Sequence, residues 1–190
     1  MRHGARLETP RILVRPWREN DLEAFHRLNS DEQVMEFFPY RRDREESLAV
    51  MRDMNRRSRR DGFGWAAAED KATGAVIGIV GLSRVAPGDG LPPGVETGWR
   101  FVPESWGKGL ATEAAQAIVD HGFVDFGLDE IVAFAVEGNA ASIAVMRRLG
   151  MEDDVRSAFD HPRVPDTHPH LLRHVCYRIS RQGWLAKRTA

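Results

Sequence analysis

Three observations predict an α+β fold in a single domain. Apolar runs between residues 63 and 102, separated by turn signals, read as strands of an antiparallel meander. A strand, a helix and a further strand then follow from 95 to 136 as one β-α-β unit. The 190 residues suit one domain of ordinary size. Together they predict a mixed, mostly antiparallel sheet of about six to seven strands with about four helices. One domain is expected over 1–190, with its core at 7–180 and mobile tails at 1–6 and 181–190.

The first expected strand is 11–16, stopped by Pro16. Asn20 and Glu23 then have the spacing of a capping box, with Leu22, Phe25 and Leu28 behind them at helical intervals. A second helix start at Asp43, with Glu46 three residues on, runs to Gly62. Its apolar stripe (Leu48, Met51, Met54) is narrow, so most of this helix should face water. Residues 63–69 and 75–84 read as strands around a turn at Ala72-Thr73-Gly74, and 87–94 as a Pro- and Gly-rich loop. Along 95–102, Val95, Thr97, Trp99 and Phe101 share one face while Glu96, Gly98, Arg100 and Val102 share the other. Residues 110–126 read as an alanine-rich helix ended by Gly127, and 131–136 as a buried strand. Helix 139–149 ends in Gly150, and a last strand spans 174–180.

Composition removes several classes. Lys plus Arg is 27 against 28 for Asp plus Glu, a formal charge of -1, which argues against a dedicated nucleic-acid binder; no DNA partner is expected. A single cysteine, Cys176, excludes an intrachain disulfide and a Cys-rich zinc site. No apolar run reaches bilayer length and no apolar segment follows the charged start, so no membrane association and a cytoplasmic location are expected. Only Lys71, Lys108 and Lys187 are lysines, leaving 24 of the 27 basic residues as arginine. Six of these, Arg44, Arg52, Arg56, Arg57, Arg59 and Arg60, fall on the second helix, either as a solvated face with local pairs such as Asp53–Arg57 or as a surface for an acidic partner. His161, His168, His170 and His174 fit no common metal spacing, and no metal is expected.

The chemistry is expected where strand 95–102 meets helix 110–126, at Val102-Pro103-Glu104-Ser105-Trp106-Gly107-Lys108-Gly109-Leu110-Ala111-Thr112-Glu113. Glycines at 107 and 109 let successive N–H groups converge, and the unpaired N–H groups and dipole of the helix start favour an anion. Lys108 and Thr112 add a charge and a hydroxyl, and the expected guest is a phosphate or pyrophosphate. A Walker A loop fails, because Val102 and Gly109 stand where Gly and Ser or Thr are needed. A dinucleotide fingerprint is closer, with Asp129 beyond the helix, but Thr112 takes the third glycine position and too little chain follows.

The run resembles motif A of the GNAT acetyltransferases, with Glu104 where Gln or Arg is usual. The string Trp106-Gly107-Lys108-Gly109-Leu110-Ala111-Thr112-Glu113-Ala114 is similar to the branch of ribosomal-protein N-terminal (alanine/serine) acetyltransferases. So are Asn139-Ala140-Ala141-Ser142 with Leu149-Gly150-Met151, and the opening Leu7-Glu8-Thr9-Pro10-Arg11-Ile12-Leu13-Val14-Arg15-Pro16. The resemblance implies a single GNAT-like domain that moves an acetyl group from acetyl-CoA to an amine, by direct attack in a ternary complex. It implies pantetheine contacts from Phe101, Val102 and Pro103, and a pyrophosphate site at Gly107, Lys108, Gly109, Leu110, Ala111 and Thr112. Asn139 and Ser142 would face the arm and thioester, with Asn139 also a natural helix N-cap.

Glu96 is the candidate base, against the plainer role of pairing with Arg100 or solvent. Met146 and Arg147 occupy the places where many GNATs carry a tyrosine as acid, and the resemblance to the ribosomal-protein branch implies Ser142 in that role. His161 or His168 has a weaker claim to border the acceptor. The acceptor is a protein N-terminus or a small-molecule amine, a ribosomal or acidic protein is a further possible partner, and the chain is a monomer or homodimer. The alternative is a non-catalytic acyl-CoA sensor, or a module docking through the arginine-rich helix.

Overall fold

The computed structural model describes residues 6–86 and 88–188. Its elements, in order, are β1 (Leu7–Glu8), β2 (Ile12–Arg15), α1 (Leu22–Ser30), α2 (Arg44–Asp61), β3 (Trp65–Asp70), β4 (Val76–Arg84) and β5 (Val95–Phe101). There follow α3 (Leu110–Val124), β6 (Glu130–Val136), α4 (Ala140–Leu149), β7 (Glu152–Asp153), β8 (Phe159–Asp160), β9 (Arg173–Ser180) and α5 (Arg181–Arg188). All strands join one sheet in the order β1-β2-β3-β4-β5-β6-β9-β7, with β8 also on β9. Pairing is antiparallel throughout except between β5 and β6.

The α+β expectation is met, with three strands more than the pattern showed. β1, β7 and β8 hold two residues each, too short to carry a periodicity. α2 forms as its ends dictate. Asp43 accepts from Glu46 N–H at 2.8 Å, Glu46 accepts from Asp43 N–H at 3.0 Å, and Gly62 closes the helix at φ 83°.

The sheet has two covered faces. On one, α1 and α2 bury Trp17, Phe25, Leu28 and Met51 against Ile79 and Val102. On the other, α3 lays Ala114, Ala115, Ile118 and Phe123 against Val80, Leu82 and Ile131. Small residues on α3 let it sit close to the strands, so the end of β5 and the start of α3 are held by one core.

Two expectations are corrected. Asn20 and Glu23 form no capping box: Asp21 takes the start of α1, accepting from Arg18 N–H at 2.7 Å and holding Arg15 through both oxygens, while Glu23 pairs with Arg44. A buried guanidinium that also meets Glu69 demands those acids more strongly than a surface cap does. The expected tail at 181–190 is instead the helix α5 over its described part. Trp184 is buried against Phe123, with ring centroids 5.1 Å apart, and its indole N–H donates to Asp120 at 2.6 Å. The expected tail at 1–6 lies outside the described residues except for Arg6, and 189–190 also lie outside them.

Candidate active site

β5 and β6 are joined by a single bridge, Glu96 to Val132. Beyond it β5 stays with β4 as far as Phe101, and β6 stays with β9 as far as Val136. The two strands therefore part, and a gap opens toward their C-terminal ends. Val102 N–H donates to Ile77 C=O at 2.9 Å. Because antiparallel pairs alternate, the N–H and C=O groups of Trp99 and Phe101 then point away from β4, into the gap. Of the three backbone positions expected to line it, Phe101 offers an N–H. Val102 N–H is used by β4 and Pro103 has none, so those two bring carbonyls, already accepting from Ser105 and Trp106.

At the end of β5 the chain turns through Gly107 (φ 70°) and Gly109 (φ 76°) into α3. A side chain would be strained at both positions. The first helical bond runs from Glu113 N–H to Gly109 C=O at 3.0 Å, leaving the N–H groups of Leu110, Ala111 and Thr112 without intrahelical acceptors. Gly107, Lys108 and Gly109 are exposed, and nothing lies within 4 Å of where a Gly107 side chain would start. The result is an open, N–H-lined concavity suited to an anion.

This turn is braced by residues the sequence did not single out. Glu113 accepts from Thr9 Oγ1 at 2.6 Å and from Arg11 Nε at 2.6 Å, while Arg11 Nη1 donates to Lys108 C=O at 2.9 Å. Glu113 and Arg11 are 102 positions apart, and no local pattern marks such a pair. Trp106 folds back, its indole N–H donating to Phe101 C=O at 2.8 Å. Glu104, the departure from the motif, is paired with Arg27 of α1, and that guanidinium holds its carboxyl below the ordinary range. Its charge is thus balanced next to the anion site.

Across the gap, Asn139 caps α4, its Oδ1 accepting from Ser142 N–H at 3.0 Å. Ser142 itself is half-buried on the first turn. Met146 is buried in the core and Arg147 is exposed, so neither position supplies an acid. Tyr177 is buried, and Tyr40 lies under the Arg42 guanidinium at 4.4 Å. Burial pushes the Cys176 thiol up to about 11, so it stays protonated at neutral pH.

Glu96 does not pair with Arg100. Burial pushes its carboxyl up to about 7; Arg163 opposes this and Asp89 adds to it, those two being ion-paired with each other at 3.2 Å. Arg163 also ties in the 160–170 loop, whose His161 stacks on His174 (4.8 Å) and Phe159 (5.9 Å). Burial first, then His174 and Arg163, bring His161 down to about 4, so it is neutral near pH 7. His168 faces His170 at 6.0 Å instead. Among the described residues, no three of His, Cys, Asp and Glu gather where a metal would need them. Five of the six arginines expected on α2 have acid partners: Arg44 with Glu23, Arg52 with Glu19, Arg56 and Arg57 with Asp53, and Arg60 with Asp61.

A sheet that parts beside a glycine turn leading into a helix whose first N–H groups are free is a scaffold suited to acyl transfer. The comparisons agree. Residues 11–152 match the Acetyltransferase (GNAT) domain model. The uncharacterized N-acetyltransferase YnaD of Bacillus subtilis is 30% identical over 76% of this chain and 81% of its own length. The FsC-acetyl coenzyme A-N(2)-transacetylase of Aspergillus fumigatus is 30% identical over 94% of this chain and 77% of its own. The ribosomal-protein-S5-alanine acetyltransferase of Vibrio fischeri superposes with a TM-score of 0.75 over 95% and 99% of the two chains at 16% identity, a likeness of fold. The chain belongs to the GNAT acetyltransferase family.

Proposed function

We propose that the enzyme takes acetyl-CoA as co-substrate and acetylates an amine by direct attack in a ternary complex. The observation that carries this reading is the single β5–β6 bridge, which leaves the edge of Trp99 and the N–H of Phe101 unpaired with β6, leading from the glycine turn toward Glu96. The anionic pyrophosphate suits the N–H groups of residues 107–112, with Lys108 and Thr112 beside them. The amide-bearing pantetheine arm suits the backbone edge of β5, with Asn139 and Ser142 opposite.

The amine arrives protonated near neutral pH, since α-amines have a pKa near 8 and lysine about 10.4. Glu96, held near 7, is matched to take that proton directly or through one water. The nitrogen lone pair then attacks the thioester carbonyl carbon, and the C–S bond breaks as the amide forms, the nitrogen giving up its second proton toward the departing sulfur or to water. The departing thiolate has an ordinary pKa near 8.5 and leaves unaided or takes a proton relayed through the Ser142 hydroxyl, which regains one from the proton shed by the nitrogen. No covalent enzyme intermediate is involved, which agrees with the inert, buried Cys176. Positioning of two bound reactants supplies much of the rate.

The sensor reading, docking through α2, is weakened by the acids that already neutralise that helix. A DTNB assay for free CoA, run against amines, amino acids and N-terminal peptides, tests the proposal. Acceptor-dependent release of CoA is expected. Tight acetyl-CoA binding with no acceptor-dependent release would favour the sensor.

A further inference from the structure

Two half-buried guanidinium groups beside the parted end of β5, those of Arg100 and Arg42, have no carboxylate among the described residues. Arg100 shares a face of β5 with Glu96, four residues along, on the part of the strand that has left β6. Gly98 lies between them, and the space a side chain would take there is occupied by the edge of the Trp65 indole (2.9 Å). Arg100 Nη2 donates to Asn29 Oδ1 at 3.2 Å, Nη1 lies against Met35 Sδ, and the guanidinium stands 4.9 Å over the Phe38 ring. Its Nε is buried without a hydrogen-bond partner. Arg42 brings a second guanidinium to the same atom, Nη1 donating to Asn29 Oδ1 at 3.0 Å over the Tyr40 ring. Among the described residues neither arginine has an acid within ion-pair distance. Arg15, which is buried, is by contrast paired with both Asp21 and Glu69.

Two guanidinium groups converging on one neutral carboxamide oxygen is an electrostatically incomplete arrangement. A buried or half-buried positive charge normally has a counter-charge, and the planar fork of arginine fits a carboxylate in particular. Asn29 is fully buried and its amide nitrogen donates to Phe25 C=O at 2.7 Å, which fixes the oxygen that holds both arginines in place. The aromatic rings under the two guanidinium groups limit their motion further. This is a positioned pair of cations whose partners are neutral, with one buried N–H, Arg100 Nε, left without an acceptor.

We propose that Arg100, supported by Arg42, binds a carboxylate of the acceptor, so that the substrate is a small amine that also carries a carboxylate, of the amino-acid class. The proposal rests on the acyl-transfer reading above and assigns the substrate class of that site. The geometry favours a free amino acid over a protein N-terminus, whose first residue has its carboxyl tied up in a peptide bond.

The test compares matched acceptors in the DTNB assay: the common L-amino acids, the corresponding L-amino acid amides, and short peptides. For at least one amino acid, kcat/KM is expected to exceed that of its amide by about a hundredfold or more, since a site built for a charged group rejects the analogue lacking it. Arg100→Gln should cut that ratio at least tenfold, chiefly through KM, and Arg100→Lys should restore part of it. Arg42→Gln, a less buried change that guards against misfolding of the Arg100 variants, should lower the ratio by a smaller factor. Amides or peptides accepted as well as the acids, or an unchanged ratio in both glutamine variants, would overturn the proposal. If no acceptor is turned over, calorimetry of the same amino acids and amides into the CoA-loaded protein separates the two ideas. Carboxylate-dependent binding that is lost in Arg100→Gln upholds the subsite while the catalytic reading fails, and its absence overturns the subsite.

Discussion

Replacing Glu96 with glutamine separates a buried, proton-holding carboxyl from an ordinary strand glutamate. Burial raises Glu96 from 4.5 to about 7 in the folded chain, with Arg163 opposing and Asp89 assisting. Between those two values the folded state keeps a proton that the unfolded state has released. Stability from this group is therefore complete below about pH 4.5 and lost as the pH rises through about 7. At 1.36 kcal/mol per pH unit the full span is worth about 3 kcal/mol, somewhat less where water reaches the group. Glutamine carries no such proton, so the stability of Glu96→Gln minus that of the native chain should rise by about 2 kcal/mol between pH 5 and pH 8. Urea unfolding of both proteins at intervals across that range measures the difference, in which the other titrating groups cancel. Parallel stability curves, with a difference constant within about 0.5 kcal/mol, would show that Glu96 titrates as an exposed acid and would remove the basis for its assignment as base. In the kinetic counterpart, native kcat/KM rises with pH through an ionisation near 7, and the variant loses on the order of a hundredfold together with that ionisation.

Other perturbations follow from the same geometry. Gly109→Val puts a β-branched side chain at φ 76°, and calorimetry should show at least a tenfold loss of CoA affinity with a stability cost of about 1–2 kcal/mol. Normal affinity in that variant would remove the anion site from residues 107–112. Trp184→Ala empties the contact between α5 and Phe123 and should cost about 3 kcal/mol, a fall of roughly 6–12 °C in Tm by calorimetric scan. A Tm within 2 °C of native would restore the mobile-tail expectation. Arg15→Met strands Asp21 and Glu69 in the core and should destabilise the chain by about 3–5 kcal/mol in urea, more than any loss from the surface pair Arg44–Glu23.

Much of this enzyme was legible in its residues because the relevant physics is local. Capping at Asp43 and Glu46, the left-handed glycine after Leu149, the alternation along β5 and the Gly-x-Gly turn before α3 each depend on residues a few positions apart. The fold class and the family motif were open to reading for that reason. What failed was what depends on distance in the chain. The Asn20 cap lost to a demand from buried Arg15, and the C-terminal segment docked because Asp120 and Phe123 await it on α3. The brace from Glu113 to Arg11 joins residues 102 positions apart in the chain. Arg100 looked like the neighbour that would neutralise Glu96, yet the fold sends one toward Asp89 and Arg163 and the other toward Asn29 and Arg42. By itself the sequence determined that this chain builds an acetyltransferase scaffold with a glycine turn leading into a helix start, since helix starts, glycine turns and strand alternation are short-range properties. Tertiary structure decided which charges are buried and which stay unpaired, because desolvation and ion pairing depend on what arrives from elsewhere in the chain.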